Sequence, residues 1–133
     1  MSVSGYLAAL HDALGQIDIA ALIKIYDQIL KAKDMGRMLY VLGNGGSQAN
    51  ASHLGLHLLE CGVRARDVMG ETAWLTASAN DHSYEASAAR LLMLTGREED
   101  ALLVISGSGD SPNVVFALKE ARGRGMATLG LLG

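Results

Sequence analysis

Apolar residues recur at helical spacing over residues 4–14 (Leu7, Leu10, Leu14) and over 17–34 (Ile19, Leu22, Ile23, Tyr26, Ile29, Leu30). Gly15 separates the two stretches and Gly36 ends the second, so the pattern predicts a helical hairpin. The pattern then changes. RMLYVLG (37–43) is almost continuously apolar, as a strand buried on both faces is. Residues 47–60 read as a helix with Ser47 as its N-cap, ETAWLTAS (71–78) as a second strand, SYEASAARLLMLT (83–95) as a helix and DALLVIS (100–106) as a third strand. Ser111-Pro112 opens a further helix, since proline suits the first helical position; it runs to Arg122, with Lys119, Arg122 and Arg124 near the negative end of its dipole. MATLGLL (126–132) is a fourth strand. Alternating strands and helices predict an α/β fold: a three-layer αβα sandwich with a parallel, Rossmann-like sheet, preceded by the N-terminal hairpin. The chain closes on the apolar LGLLG, and further polypeptide or a partner is expected to cover that edge.

Length and composition fit one ordered domain over 1–133, with helices at 4–34 and an α/β core at 37–133: half of the 133 residues are hydrophobic and only one is proline. The longest apolar runs, 101–105 and 126–132, are too short to span a bilayer, and the N-terminus lacks a basic region and a cleavage pattern. Cys61 is alone and cannot form an internal disulfide, which points to a reducing, cytoplasmic location. The net charge of −3 argues against a non-specific nucleic-acid surface. Neither membrane nor direct nucleic-acid binding is expected.

Two small-residue loops carry the candidate chemistry. Asn44, Gly45, Gly46 and Ser47 follow the first strand; Ser106, Gly107, Ser108 and Ser111 follow the third. A loop of this kind at a helix start exposes backbone N–H groups at the positive end of the dipole, and serine hydroxyls add direct donors, so phosphate is its usual occupant. Neither loop is a Walker A sequence, and GNGGSQ lacks the spacing of a dinucleotide fingerprint. Strand–helix turns also use small residues for purely structural reasons. Two such loops at the carboxyl ends of parallel strands, where α/β proteins bind ligands, favour phosphate.

VLGNGGSQANASH (41–53) and VISGSGDSPNVVFALKEARGRGMATLGLLG (104–133) resemble the sugar-isomerase (SIS) domain family, and within it the phosphoheptose isomerases, which interconvert sedoheptulose 7-phosphate and a heptose 7-phosphate. The likeness covers essentially the whole chain. It implies that Ser106, Ser108 and Ser111 hold a sugar phosphate and that Asn44, Gly45, Gly46, Asn80 and Asp81 touch the substrate. It also implies a homotetramer or homodimer, with active sites shared between subunits and the N-terminal helices bundled together.

The sequence departs from the family at its catalytic positions. Aldose–ketose isomerisation moves a proton between neighbouring carbons through an enediol and needs a base and an acid. Family members carry a histidine and, four residues on, a glutamate taken as the base; here His53 is followed by His57. His57 is therefore the candidate catalytic base, since imidazoles are commonly neutral at pH 7 and can accept a proton. The family's C-terminal helix, with a glutamine and a second histidine, is absent from these residues. Several members bind zinc through these positions. His53 and His57, at i and i+4, share one helix face and make zinc a candidate ligand, although no cofactor is required; a packed and an exposed histidine on an amphipathic helix would look the same. Glu60 and His11 read as surface residues, Cys61 as packing, and His82 as a turn residue beside the cleft. Asp110 stands where the family usually has asparagine. Two alternatives remain beside the isomerase: a non-catalytic binding protein resembling the replication-initiator-associating protein, which shares the ANA-x-H run and also lacks the glutamate, and a phosphosugar-sensing regulator.

Overall fold

A computed structural model describes residues 2–133. Its elements are α1 (Val3–Gly15), α2 (Ile19–Asp34), β1 (Met38–Leu42), α3 (Gly45–Glu60), β2 (Arg64–Asp67), α4 (Thr72–Asp81), α5 (Tyr84–Thr95), β3 (Ala101–Ser106), α6 (Pro112–Gly123) and β4 (Ala127–Leu132). The four strands are all parallel, in the order β2-β1-β3-β4, with Leu39 opposite Ala101 and Ala101 opposite Ala127.

The continuous apolar content of β1 and β3 reflects burial on both faces of the sheet. Leu39, Val41, Ala101 and Leu103 point to one side and meet Ala51, Leu54 and Leu58 of α3 and Ile25 and Ile29 of α2. Tyr40, Leu42, Leu102 and Val104 point to the other and meet Leu91 and Leu92 of α5 and Val114, Ala117 and Ala121 of α6. This period-two split builds the expected three-layer sandwich. Each fully buried aliphatic side chain here contributes about 1.5–3 kcal/mol. Asp100, buried before β3, locks the near end of the sheet: its carboxylate accepts from the backbone N–H of Met38 and of Arg97, both at 2.9 Å.

Residues 71–78 are not a strand. They lie in α4, where Trp74, Leu75 and the buried Ser78 face α5 and the indole N–H donates to the Ser87 carbonyl at 3.1 Å. Thr72, Trp74, Leu75 and Thr76 have β propensity, but an apolar stripe at three- to four-residue spacing suffices for a helix packed on one side. The second strand is instead RARD (64–67), a four-residue edge strand pairing only with β1. The hairpin stands apart: α1 has no buried residue, and α2 buries only Ala32. Among the described residues no single helix is long and apolar enough to cross a membrane; α1 and α2 pass that test only together, across a 66° bend.

Candidate phosphate-binding crevice

From β1 the chain crosses to β2 on one side, and from β3 to β4 on the other. The carboxyl ends of β1 and β3 are therefore the point where the winding reverses, the usual ligand crevice of an open α/β sheet. Both small-residue loops open there. α3 leaves the β1 loop on one face of the sheet and α6 leaves the β3 loop on the other, so the helix starts flank a common edge.

The β1 loop is held by its backbone. A Cβ on Gly43 would lie 2.6 Å from the Ser47 carbonyl carbon, so the turn closes onto α3 only with glycine. Gly45 adopts φ +53°, a left-handed conformation that side chains disfavour. The N-cap is Asn44, not Ser47, which lies in the first turn. Gln48 accepts from the Gly43 N–H at 2.9 Å, and Asp67, at the end of β2, accepts from the Gln48 amide and the Ser52 hydroxyl. Asp67 also accepts from the N–H groups of Met69 and Gly70, at 3.0 Å each, bracketing α3 to the turn after β2.

Asn44 reaches across the crevice. Its amide exchanges two hydrogen bonds of 2.8 Å with that of Asn113 in α6, and the Tyr84 hydroxyl donates to Asn44 Oδ1 at 2.7 Å. Asn113 is 2% exposed, so the two loops are tied by a buried polar clasp. Sequence reasoning missed both Asn113 and Tyr84. The available signal was that Asn113 occupies the same α6 stripe as Ala117 and Ala121, a polar residue at a core position.

The donors are left free. Side-chain oxygens of Ser2, Asp18 and Ser83 cap α1, α2 and α5, whereas α3 and α6, like α4, carry no side-chain cap. First-turn N–H groups of α3 and α6 thus remain available to an anion. Ser106 Oγ accepts from the Gly109 N–H at 3.1 Å and Ser108 Oγ from the Asp110 N–H at 3.3 Å, which leaves each hydroxyl proton to donate elsewhere. Ser47, Ser106 and Gly107 border one open cleft of about 820 Å³, walled by Ile17 and Leu22 of the hairpin and Leu131 and Leu132 of β4. Ser111 opens α6, while Asp110 is exposed. Asn80 and Asp81 close α4, bonded to each other at 2.9 Å, shortly before Tyr84 brings the chain to Asn44.

His53 and His57 lie elsewhere, on the exposed face of α3, and neither lines that cleft. Their Nε2 atoms are 2.9 Å apart, with the rings edge to face. Glu60, read from sequence as a free surface charge, sits 3.1 Å from His57 Nδ1. Among the described residues no cluster of three or more His, Cys, Asp or Glu could hold a metal ion. His11, His82 and Cys61 are exposed.

The sequence model of the SIS domain family matches residues 5–133. The chain belongs to that family. A phosphoheptose isomerase of Pelodictyon phaeoclathratiforme is 38% identical over 139 aligned residues, which cover 96% of this chain and 64% of that protein. One from Bradyrhizobium is 34% identical over 142, covering 98% and 72%. Solved phosphoheptose isomerases superpose closely: that of Neisseria gonorrhoeae with a TM-score of 0.89 at 27% identity, covering 99% of this chain and 76% of that one, and that of Francisella tularensis with 0.86 at 28%, covering 100% and 76%. The SIS-domain chain thus spans roughly two thirds to three quarters of these relatives' lengths.

Proposed function

We propose that this chain is the phosphosugar-binding unit of a cytoplasmic aldose–ketose isomerase of the phosphoheptose type, acting on a substrate such as sedoheptulose 7-phosphate. The observation that carries this reading is the pair of uncapped helix starts flanking the β1–β3 crevice, clasped by Asn44 and Asn113. In it, Ser106, Ser108, Ser111 and the first-turn N–H groups of α3 and α6 take the phosphate, while Asn44, Gly45, Gly46, Ser47, Asn80 and Asp81 face the carbon chain.

His57 serves as the base for proton transfer between C1 and C2: Glu60 at Nδ1 orients the ring, and Nε2, which pairs with His53 Nε2 at 2.9 Å, takes the proton once substrate displaces that contact. The familiar glutamate is thereby replaced by a carboxylate acting through an imidazole. His53 and His57 would also supply two nitrogens to zinc. A tetrahedral site needs more ligands than these described residues bring together, and the reaction proposed here runs through the imidazoles alone.

Solvent-tritium exchange into a panel of sugar phosphates tests the reading. The wild type should exchange label with at least one substrate. His57→Gln should lower turnover by about a hundredfold or more with little change in KM, the signature of a group that acts in the transition state. No exchange with any substrate, or full exchange by His57→Gln, would overturn it.

A further inference from the structure

At the opposite end of the sheet, four arginines converge on a second cavity. β2 pairs with β1 so that Arg64 lies opposite Met38 and Arg66 opposite Tyr40, which sends both guanidinium groups to the α5 side of the sheet. Arg37, at the entry to β1, and Arg97, in the turn leading to β3, complete the ring around a cavity of about 190 Å³. Four of the chain's eleven cations therefore line one small space in a protein of net charge −3.

Their donors are under-used. Arg97 makes no side-chain hydrogen bond or ion pair among the described residues, and Arg37 Nε is buried with no partner although that side chain also pairs with Glu99. Arg64 donates only to the Gly36 carbonyl, at 2.9 Å, and Arg66 donates to a single oxygen of Glu71. Both oxygens of Asp100 are already taken by backbone N–H groups. Glu71 and Glu99 are 45% and 47% exposed, and ion pairs of that kind are worth little, so an incoming anion can displace them.

We propose that this cavity is a second phosphate-class anion site, taking a phosphate or diphosphate head group through bidentate guanidinium contacts. Its volume, below the roughly 300–1,000 Å³ of pockets for whole drug-sized ligands, suits the head group and not an entire nucleotide. It is also distinct from the serine loops: the five residues of β1 separate the two ends of the sheet by about 15 Å.

Inorganic pyrophosphate titrated into the full chain by calorimetry tests the site. Ser106→Ala/Ser108→Ala should leave one pyrophosphate-binding event intact, and that event should weaken as salt is raised. Arg97→Gln, at an exposed side chain with no partner to lose, should weaken it about tenfold, and Arg64→Gln/Arg97→Gln should abolish it. Unchanged binding by the double arginine variant, or no binding left in the serine variant, would overturn the proposal. Failure of the serine loops to bind phosphate would leave this result untouched, so the two sites are judged separately.

Discussion

Replacing Asn113 with alanine should expose how strongly the two loops depend on each other. The side chain is 2% exposed and exchanges two 2.8 Å hydrogen bonds with Asn44. Each such bond contributes about 1 kcal/mol net, and stranding the half-buried Asn44 amide adds about 1–3 kcal/mol, so Asn113→Ala should cost about 3–5 kcal/mol. Urea denaturation with an unchanged m-value reads this directly. Asn44→Ala should cost a similar amount, because it strands the more deeply buried partner. The double variant loses the same two bonds but strands neither amide, so it should cost about 2 kcal/mol and fall short of the sum of the two singles by about 4 kcal/mol or more. Additive costs, or a loss below about 1 kcal/mol for Asn113→Ala, would refute the clasp.

Gly43→Ala should remove more than about 4 kcal/mol, seen as loss of soluble protein or a steep fall in Tm, because its Cβ would meet the backbone of Ser47 and Gln48 at 2.6–2.7 Å. Ser106→Ala and Ser108→Ala should each weaken sugar-phosphate binding by about tenfold or more in a direct titration, since a hydroxyl donating to an anion is a charge-assisted bond. Sedimentation should show self-association at micromolar concentration, and Leu10→Asp/Leu14→Asp should shift the protein towards monomer; Leu7, Leu14 and Tyr26 are 58–60% exposed on the hairpin. A monomeric wild type contradicts that expectation.

The sandwich was legible wherever one strand or helix carried its own evidence. β1 and β3 are apolar because both faces are covered, and the helices α3, α5 and α6 carry apolar stripes that meet those faces, whereas β4 is an apolar edge strand with an exposed end. RARD was illegible because an edge strand needs few apolar residues: Ala65 is its only one, and its fit comes from pairing with β1. ETAWLTAS misled because local β propensity was read without knowing that only one side of α4 meets the core. Both loops could be read from their glycines and serines, but not the clasp, since Asn44 and Asn113 are 69 residues apart. Ser47 looked like the cap because serine is a favoured cap; the left-handed Gly45 lets the helix begin three residues earlier, behind Asn44.

The same geometry bears on how a phosphate loop and a proton-transfer group could meet. His57 lies twelve residues beyond Gly45, about 18 Å along α3 at 1.5 Å per residue, on a face turned away from the sheet. A seven-carbon sugar whose phosphate sits at the serine loops would not bring its first two carbons to that ring on the same chain. The cleft beside those loops is open, and its walls are the hairpin and the exposed end of β4. On the proposed reading, the exposed histidines of one copy therefore complete the crevice of another, with the apolar hairpin as the surface that aligns them. The requirement is testable because it links two measurements: variants that dissociate the hairpin should lose tritium exchange while keeping phosphate-sugar affinity at Ser106 and Ser108. A dissociated variant that still turns over would place catalysis within a single chain and remove His57 as its base.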